Sequence, residues 1–378
     1  MKYSFFLCLI FVFLSCSDKS NKTEEVLAEK KKVIKADSLS LIFVGDIMGH
    51  MPLVNSTFVD STSHYDFTPV FSKVAPFFNA VDFSVGNLEL TFGGKPYKGY
   101  PRFSSPDELA FSCKRSGINV LMTANNHSCD TGRKGILRTL KVLDSANIYH
   151  TGTFKDSLDR INNNLLILKK NNIRVGILNY TYGTNGLPVP KGTFVNIIDT
   201  NLIKKDIYNS KNKNIDKLIV FLHWGRQYKS HPSNGQKKTA DFLLKNGVDI
   251  VIGSHPHVLQ KMEYKNRDGK EDKVAVVYSL GNFISNQREV NRDGGLMVNI
   301  TILKRDNLVT VLQPSYYLSW VHKFRNKKGN NYQILPCFLY EKNKLEISKK
   351  SQSKMTRFIK KSRALFKKEN ISFVEQLN

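Results

Sequence analysis

Short apolar runs recur along this chain, and each gives out into a tight group of chemistry-bearing side chains. Residues 39–44 lead into Gly45-Asp46-Ile47-Met48-Gly49-His50, and 81–85 into Gly86-Asn87-Leu88-Glu89. Residues 118–122 open into Thr123-Ala124-Asn125-Asn126-His127, with Asp130 and Gly132 just after. Further on, 217–222 deliver His223-Trp224-Gly225, 248–252 deliver Gly253-Ser254-His255-Pro256-His257, and 274–278 deliver Ser279-Leu280-Gly281-Asn282-Phe283. Segments with helical apolar spacing separate them, at 69–80, 106–115, 135–143, 199–208 and 236–246. Strands alternating with helices predict an α/β sheet, which places ligands beyond the carboxyl ends of its strands. The polar groups should therefore meet along one rim.

Gathered there, Asp46, Glu89, Asn126, His127, His223, His255 and His257 supply two carboxylates, one amide and four imidazoles. That mixture of oxygen and nitrogen donors suits Zn, Mn or Fe better than the all-oxygen shells of Ca or Mg. The set exceeds what one tetrahedral ion uses, so one or two divalent ions are expected. His255 and His257 stand at i and i+2, which on extended backbone turns both toward one cation while Pro256 stiffens the turn. Taken singly, Asp46 has a helix cap as its lesser reading, and His127 or His223 is more often a satisfied core histidine. Together at successive strand ends they read as ligands.

Other segments fill out the architecture. Residues 165–168 and 174–178 read as strands around a Lys169-Lys170-Asn171-Asn172 turn, and the second runs into Asn179-Tyr180-Thr181-Tyr182-Gly183-Thr184-Asn185, a polar loop suited to a substrate wall through Tyr180 and Thr181. Residues 295–303, 308–312 and 332–340 read as an antiparallel series. Beyond 340 the chain is Lys-rich, yet Met355, Phe358, Ile359, Leu365 and Phe366 keep helical spacing. A terminal amphipathic helix over 341–378 is expected, packed on the main domain or lying on an acidic membrane.

Formal charge is +25, which calls for an anionic partner. No recognition helix, zinc-finger spacing or Arg-aromatic stripe accompanies it, so nucleic acid is excluded. The first residues combine Lys2, an apolar run to Leu14 and then Ser15-Cys16, a leader too short to span a bilayer as a permanent helix. Phe13-Leu14-Ser15-Cys16 resembles a bacterial lipobox, which implies acylation at Cys16, a membrane anchor and an envelope location outside the cytoplasm. Residues 17–38 then read as a disordered tether, and 39–340 as the folded domain. Cys113, Cys129 and Cys337 form no framework of pairs, with a Cys113–Cys129 bridge the one pairing weighed.

The ordered motifs Gly45-Asp46-Ile47-Met48, Asn87-Leu88-Glu89, Asn125-Asn126-His127, His223-Trp224-Gly225, Gly253-Ser254-His255-Pro256-His257-Val258-Leu259-Gln260 and Ser279-Leu280-Gly281-Asn282-Phe283 resemble the signature of the CapA (PgsA) family of capsule and poly-gamma-glutamate synthesis proteins. That family is similar in turn to calcineurin-like metallophosphoesterases. The resemblance implies a four-layer α/β/β/α sandwich with metals at the strand ends. It further implies that Asp46 and Glu89 are metal carboxylates, Glu89 bridging, and that Asn126, His223 and His255 complete the shell. His257 would hold the first ion with Asp46, and His127 would be the acid at the scissile bond. Met48 stands where the metallophosphoesterases carry His, which predicts a ligand gap unless His50 fills it. Gln227 stands where many members carry Glu. The implied activity is a hydrolase or transferase acting on an anionic polymer, with Asp46 and His127 as catalytic groups and Tyr180, Thr181, Arg226 and Asn282 facing substrate. A phosphoesterase on a small ester and a non-catalytic assembly subunit are the alternatives.

Overall fold

Alternation along the strands decides the layers. In Asp37–Ile47, Leu39, Leu41 and Phe43 enter one buried cluster, whereas Ile42 and Val44 enter another. The first cluster also takes Val175, Ile177, Ile219, Phe221, Ile250 and Ile252, so it is the interior between two facing sheets. The second packs Leu53, Val70, Phe78, Leu109 and Leu143 from helices onto the outer side of the first sheet. A third sets Leu178, Val220 and Val251 against Ile203, Ile207, Ala240 and Leu243 on the outer side of the second. Helix, sheet, sheet and helix form the expected four-layer α/β/β/α sandwich, each face burying its apolar residues on the next layer. The computed structural model describes residues 36–327 and 329–378. The leader, Cys16 and nearly all of the 17–38 tether lie outside the described residues.

In the first sheet, Asp37–Ile47, Phe83–Leu88, Val120–Met122 and Tyr149–Thr151 run parallel. In the second, Ile173–Thr181, Lys217–His223, Ile250–Ser254 and Lys273–Val277 do the same. Each parallel set brings its carboxyl ends to one rim. Helices Glu108–Arg115, Gly132–Ser145, Thr200–Ser210 and Asn234–Lys245 supply crossovers, the last opened by a capping box between Ser233 and Gln236. Gly294–Arg305, Ser315–Asn326 and Gly329–Pro336 extend the first sheet in antiparallel fashion.

Two expectations need correcting. The segment 69–80 is two short helices, Thr68–Phe71 and Ala75–Asn79, because Pro76 has no N–H for a continuous helix and instead opens the second one. The run 332–340 is strand only to Pro336, after which Cys337–Glu341 is helical; unbroken apolarity hides the change of period. The amphipathic helix expected within 341–378 is Lys349–Glu369, and it packs on the main domain. Met355, Phe358, Ile359 and Phe366 of Lys349–Glu369 enter the core between the sheets. Asn370–Ile371 then pairs with the second sheet and Val374–Glu375 with the first. The terminus closes one edge of the sandwich, and residues 36–378 form one compact unit. No helix among the described residues is long and apolar enough to cross a membrane. Cys113, Cys129 and Cys337 are buried free thiols, so the weighed bridge does not form.

Candidate metal centre

Register places the donors side by side. Asp46 pairs with Asn87 across neighbouring strands of one sheet, and His223 with Ser254 in the other. Asn87 Nδ2 donates to Asp46 Oδ1 at 2.8 Å and lies 3.1 Å from His223 Nδ1, which ties the two sheets together at the rim. Ser254 Oγ also donates to Asp46 Oδ1. Asp46 Oδ2 is 2.9 Å from His257 Nδ1. His223 Nε2 lies 2.7 Å from Asn126 Oδ1 and 3.1 Å from His255 Nδ1.

Backbone strain marks the histidine turn. The strand stops at Ser254, and His255 and His257 take φ values of 97° and 57°, a left-handed region that non-glycine residues adopt at a cost of order 1–3 kcal/mol each. Such strain persists where the surroundings fix it and where function uses it. It also corrects the expected extended claw: the rings are 6.0 Å apart and serve different donor groups. Gly253 lets the turn form, since an added Cβ would stand 2.1 Å from the Tyr278 carbonyl oxygen.

Two sets of donors result. Glu89, His223 and His255 form one, and Asp46, Glu89 and His257 the other, with ligand atoms in each within 4.8 Å of one another. Glu89 belongs to both. It is fully buried and neither carboxylate oxygen has a hydrogen-bond partner, whereas buried polar atoms are almost always satisfied. Its Oε1 sits 3.6 Å from His223 Nε2, 3.7 Å from His257 Nε2 and 4.0 Å from His127 Nε2. Burial pushes the Glu89 carboxyl well above its ordinary range, and the neighbouring Asp46 pushes it further. For Asp46 burial also acts upward, but the hydrogen bond and charge of His257 outweigh it and hold the carboxyl below the usual range. Burial holds His223 well below ordinary imidazole values and His255 at about 3. Imidazoles held neutral beside a buried carboxyl that has no hydrogen-bond partner are a donor set suited to a divalent cation, so these residues fit one.

His127 stands at the edge of this cluster. Its Nδ1 is 2.7 Å from Asp130 Oδ2, which also accepts the Phe103 N–H at 2.6 Å. That fixes the ring with Nε2 toward Glu89.

Of the residues expected to face substrate, Tyr180 is the clear correction. Even-numbered positions of its strand point outward to the helix layer, so Tyr180 is buried there with its hydroxyl donating to Asp206 Oδ2 at 2.8 Å. Thr181 is buried too, its hydroxyl donating to the Gly183 carbonyl at 3.0 Å. Asn282 is fully buried behind His257, with Oδ1 3.1 Å from Nδ1 and Nδ2 donating to Gln287 and to the Arg292 carbonyl. It braces the His257 ring from behind and does not reach the rim. Arg226 is exposed, as is Gln227. Met48 packs in the outer apolar core away from the site. His50 accepts the Asn286 N–H at 3.3 Å and packs edge-on to Phe103, and it joins neither donor set. The rim is instead formed by Tyr182, whose ring lies 4.5 Å from His255, and Tyr228, 6.0 Å from His257 with the Arg292 guanidinium 3.4 Å over its face. Alternation along Ile173–Thr181 excludes Tyr180 from sequence alone, while Tyr182 lies past the strand's end and is free of that alternation; no local signal marks Tyr228 or Arg292.

Comparison with known proteins follows the same geography. Residues 40–287, which contain every donor named above, match the family described as Bacterial capsule synthesis protein PGA_cap. The chain is 28% identical over 317 residues to the capsule biosynthesis protein CapA of Bacillus anthracis, covering 81% of this chain and 73% of that one. It is 30% identical over 287 residues to the PGA biosynthesis protein CapA of Bacillus subtilis, covering 74% and 71%. Among solved structures, the calcineurin-like phosphoesterase YfkN from Bacillus subtilis aligns over 87% of this chain and 98% of that chain, at 12% identity and a TM-score of 0.47. With both carboxylates and all four imidazoles of the rim inside the matched stretch, this chain belongs to the PGA_cap family of bacterial capsule synthesis proteins.

Proposed function

We propose that this protein is anchored in the bacterial envelope through Cys16 and acts in the synthesis or processing of an anionic capsule polymer, poly-gamma-glutamate, as a metal-dependent hydrolase or transferase. The observation that carries the reading is Glu89, a fully buried carboxylate without a hydrogen bond and common to two donor sets. Glu89, His223 and His255, with Asn126 beside them, would hold one ion; Asp46, Glu89 and His257 would hold the other. The donor set points to Zn, Mn or Fe. A bound pair supplies Lewis-acid polarisation of the electrophile and acidifies an attacking water.

The remaining work falls to the chain itself. Asp46 and Asn282 both lie within hydrogen-bond reach of His257 Nδ1 and fix that ring. Asp130 orients His127 with Nε2 toward the cluster, the placement a general acid needs to protonate a leaving group. Tyr182, Tyr228 and Arg292 frame the mouth, and Arg292 offers a cation to a substrate carboxylate.

The test is elemental analysis of the purified full chain, followed by assays on poly-gamma-glutamate and on generic phosphodiesters with and without chelator. Metal-dependent cleavage or transfer of the polymer, lost in Asp46→Asn and in His127→Ala with metal retained in the latter, is the expected result. Cleavage of phosphodiesters alone would replace the polymer with a small ester. Metal content near zero with polymer binding unchanged in His255→Ala would make the protein a non-catalytic assembly subunit.

A further inference from the structure

The terminal helix Lys349–Glu369 carries a charge pattern that the metal site does not explain. Its buried side supplies Met355, Phe358, Ile359, Ser362 and Phe366. Along one flank of this side, Lys350, Lys354, Arg357, Lys361 and Lys368 recur three or four residues apart, with Leu365 between the last two, which sets them in one row. At 1.5 Å per residue the row is about 27 Å long. All five are exposed except Lys354, which is half-buried. Among the described residues none of the five forms an ion pair within 4 Å and only Arg357 has a carboxylate, Asp293, in electrostatic reach, although Arg363 on the same helix is paired twice, with Glu341 and Glu375. Like charges at these spacings disfavour a helix, and Glu interspersed with Lys would relieve them. No acidic residue precedes Glu369 on the helix. A Lys-rich composition accounts for many cations on an outer face; it does not account for the lack of any carboxylate among them.

Two depressions that share Ser230 lead from the row to the loop that borders the candidate metal site. Lys361 and Leu365 line a depression of about 200 Å³ with Ser230 and Asn291. Ser230 also lines a wider groove of about 640 Å³ with Arg226 and Lys229. Two residues before Ser230, Tyr228 donates its N–H to the Pro256 carbonyl at 2.8 Å, between His255 and His257. Next to Asn291, the Arg292 guanidinium covers the Tyr228 ring. His231 meets Glu369 at 3.2 Å, which fastens the loop to the helix end.

We infer that the terminal helix is a binding track for a linear polycarboxylate, running from Tyr228 and Arg292 at the metal site past Arg226 and Lys229 onto the row Lys350, Lys354, Arg357, Lys361 and Lys368. The inference rests on the polymer reading above and adds to it a place for the part of the chain that is not reacting. Evenly spaced ammonium groups meet carboxylates that repeat along a flexible polymer, a match of charge that needs no fixed register. A path of depressions leading toward the metal rim favours a polymer over a lipid surface, which would need no such connection.

The experiment compares the full chain with a variant carrying Lys350→Gln, Lys354→Gln, Arg357→Gln, Lys361→Gln and Lys368→Gln, substitutions that keep helix propensity. The probes are long poly-gamma-glutamate, tri-glutamate and anionic phospholipid vesicles, at several salt concentrations. The track predicts that long-polymer affinity falls by at least about tenfold and loses salt dependence, while metal content and tri-glutamate binding stay unchanged. Unchanged long-polymer affinity overturns it. So does loss of vesicle binding with polymer binding intact, which would assign the row to the membrane. Should the variant not fold, carbodiimide coupling of long polymer to the unaltered protein decides: amide cross-links at Lys354 and Lys361 uphold the track, and their absence overturns it. With inorganic polyphosphate as a further probe, its retention in place of polyglutamate overturns the polycarboxylate track and the polymer reading together, whereas failure of the five-residue variant alone to weaken long-polymer binding overturns the track and leaves that reading standing.

Discussion

Glu89 shows how one side chain can cost stability in one state and supply it in another. Buried without a hydrogen bond, its carboxylate penalises the metal-free fold, and a cation between the imidazoles removes that penalty. Glu89→Gln is therefore expected to lower bound metal while raising the metal-free protein's stability by about 1–3 kcal/mol. Elemental analysis and melting in chelator check the two halves, and a variant that keeps full metal or melts lower contradicts the argument. Tyr180 makes the opposite case. Tyr180→Phe should cost about 1 kcal/mol by removing a donor from buried Asp206, with metal content unaltered. Denaturant unfolding and metal analysis of the same sample test it, and lost metal would return Tyr180 to the site. At this scale the donors were legible because each follows directly on an apolar run. The rim residues were not, since Tyr228 and Arg292 meet only after distant loops fold together.

Between elements, the contact of the strand Ser315–Asn326 with the terminal helix has a signature in pH. His322 Nε2 lies 3.0 Å from Ser351 Oγ, and burial, aided by the Arg288 charge, lowers the imidazole to about 4. A base held below its unfolded value of about 6.5 is neutral in the fold and protonates first in the unfolded chain. Its contribution is complete above about pH 6.5 and is lost as pH falls toward 4. His322→Gln should flatten that decline without moving the metal site, as melting temperatures between pH 4 and 7 would show. A variant that falls as steeply as the parent refutes the assignment. The strand itself was missed in sequence, because its buried positions break alternation where the helix covers its second face. Likewise, two short helices replaced one because proline chemistry acts locally and apolar spacing does not register it.

For the whole molecule, the match to the capsule family ends at residue 287, but the core does not. Met355, Phe358, Ile359 and Phe366 fill the space between the sheets. Ending the chain at Ser348 would expose that interior, each large side chain being worth about 1.5–3 kcal/mol of burial, against a net stability of about 5–15 kcal/mol. The truncated chain is expected to lose cooperative unfolding by circular dichroism and calorimetry; a sharp transition near the parent's would show that the helix is dispensable. What the sequence determined by itself was the alternation of strands with helices and the polar groups at the strand ends, because apolar period and strand-end placement are properties of neighbouring residues; the four-layer order came with the family resemblance. The tertiary structure alone decided which side chains gather into each candidate donor set, that His255 and His257 part in a left-handed turn, and that the terminal helix seals the core. Those depend on which remote segments come within a few ångströms, and no short-range pattern carries that distance.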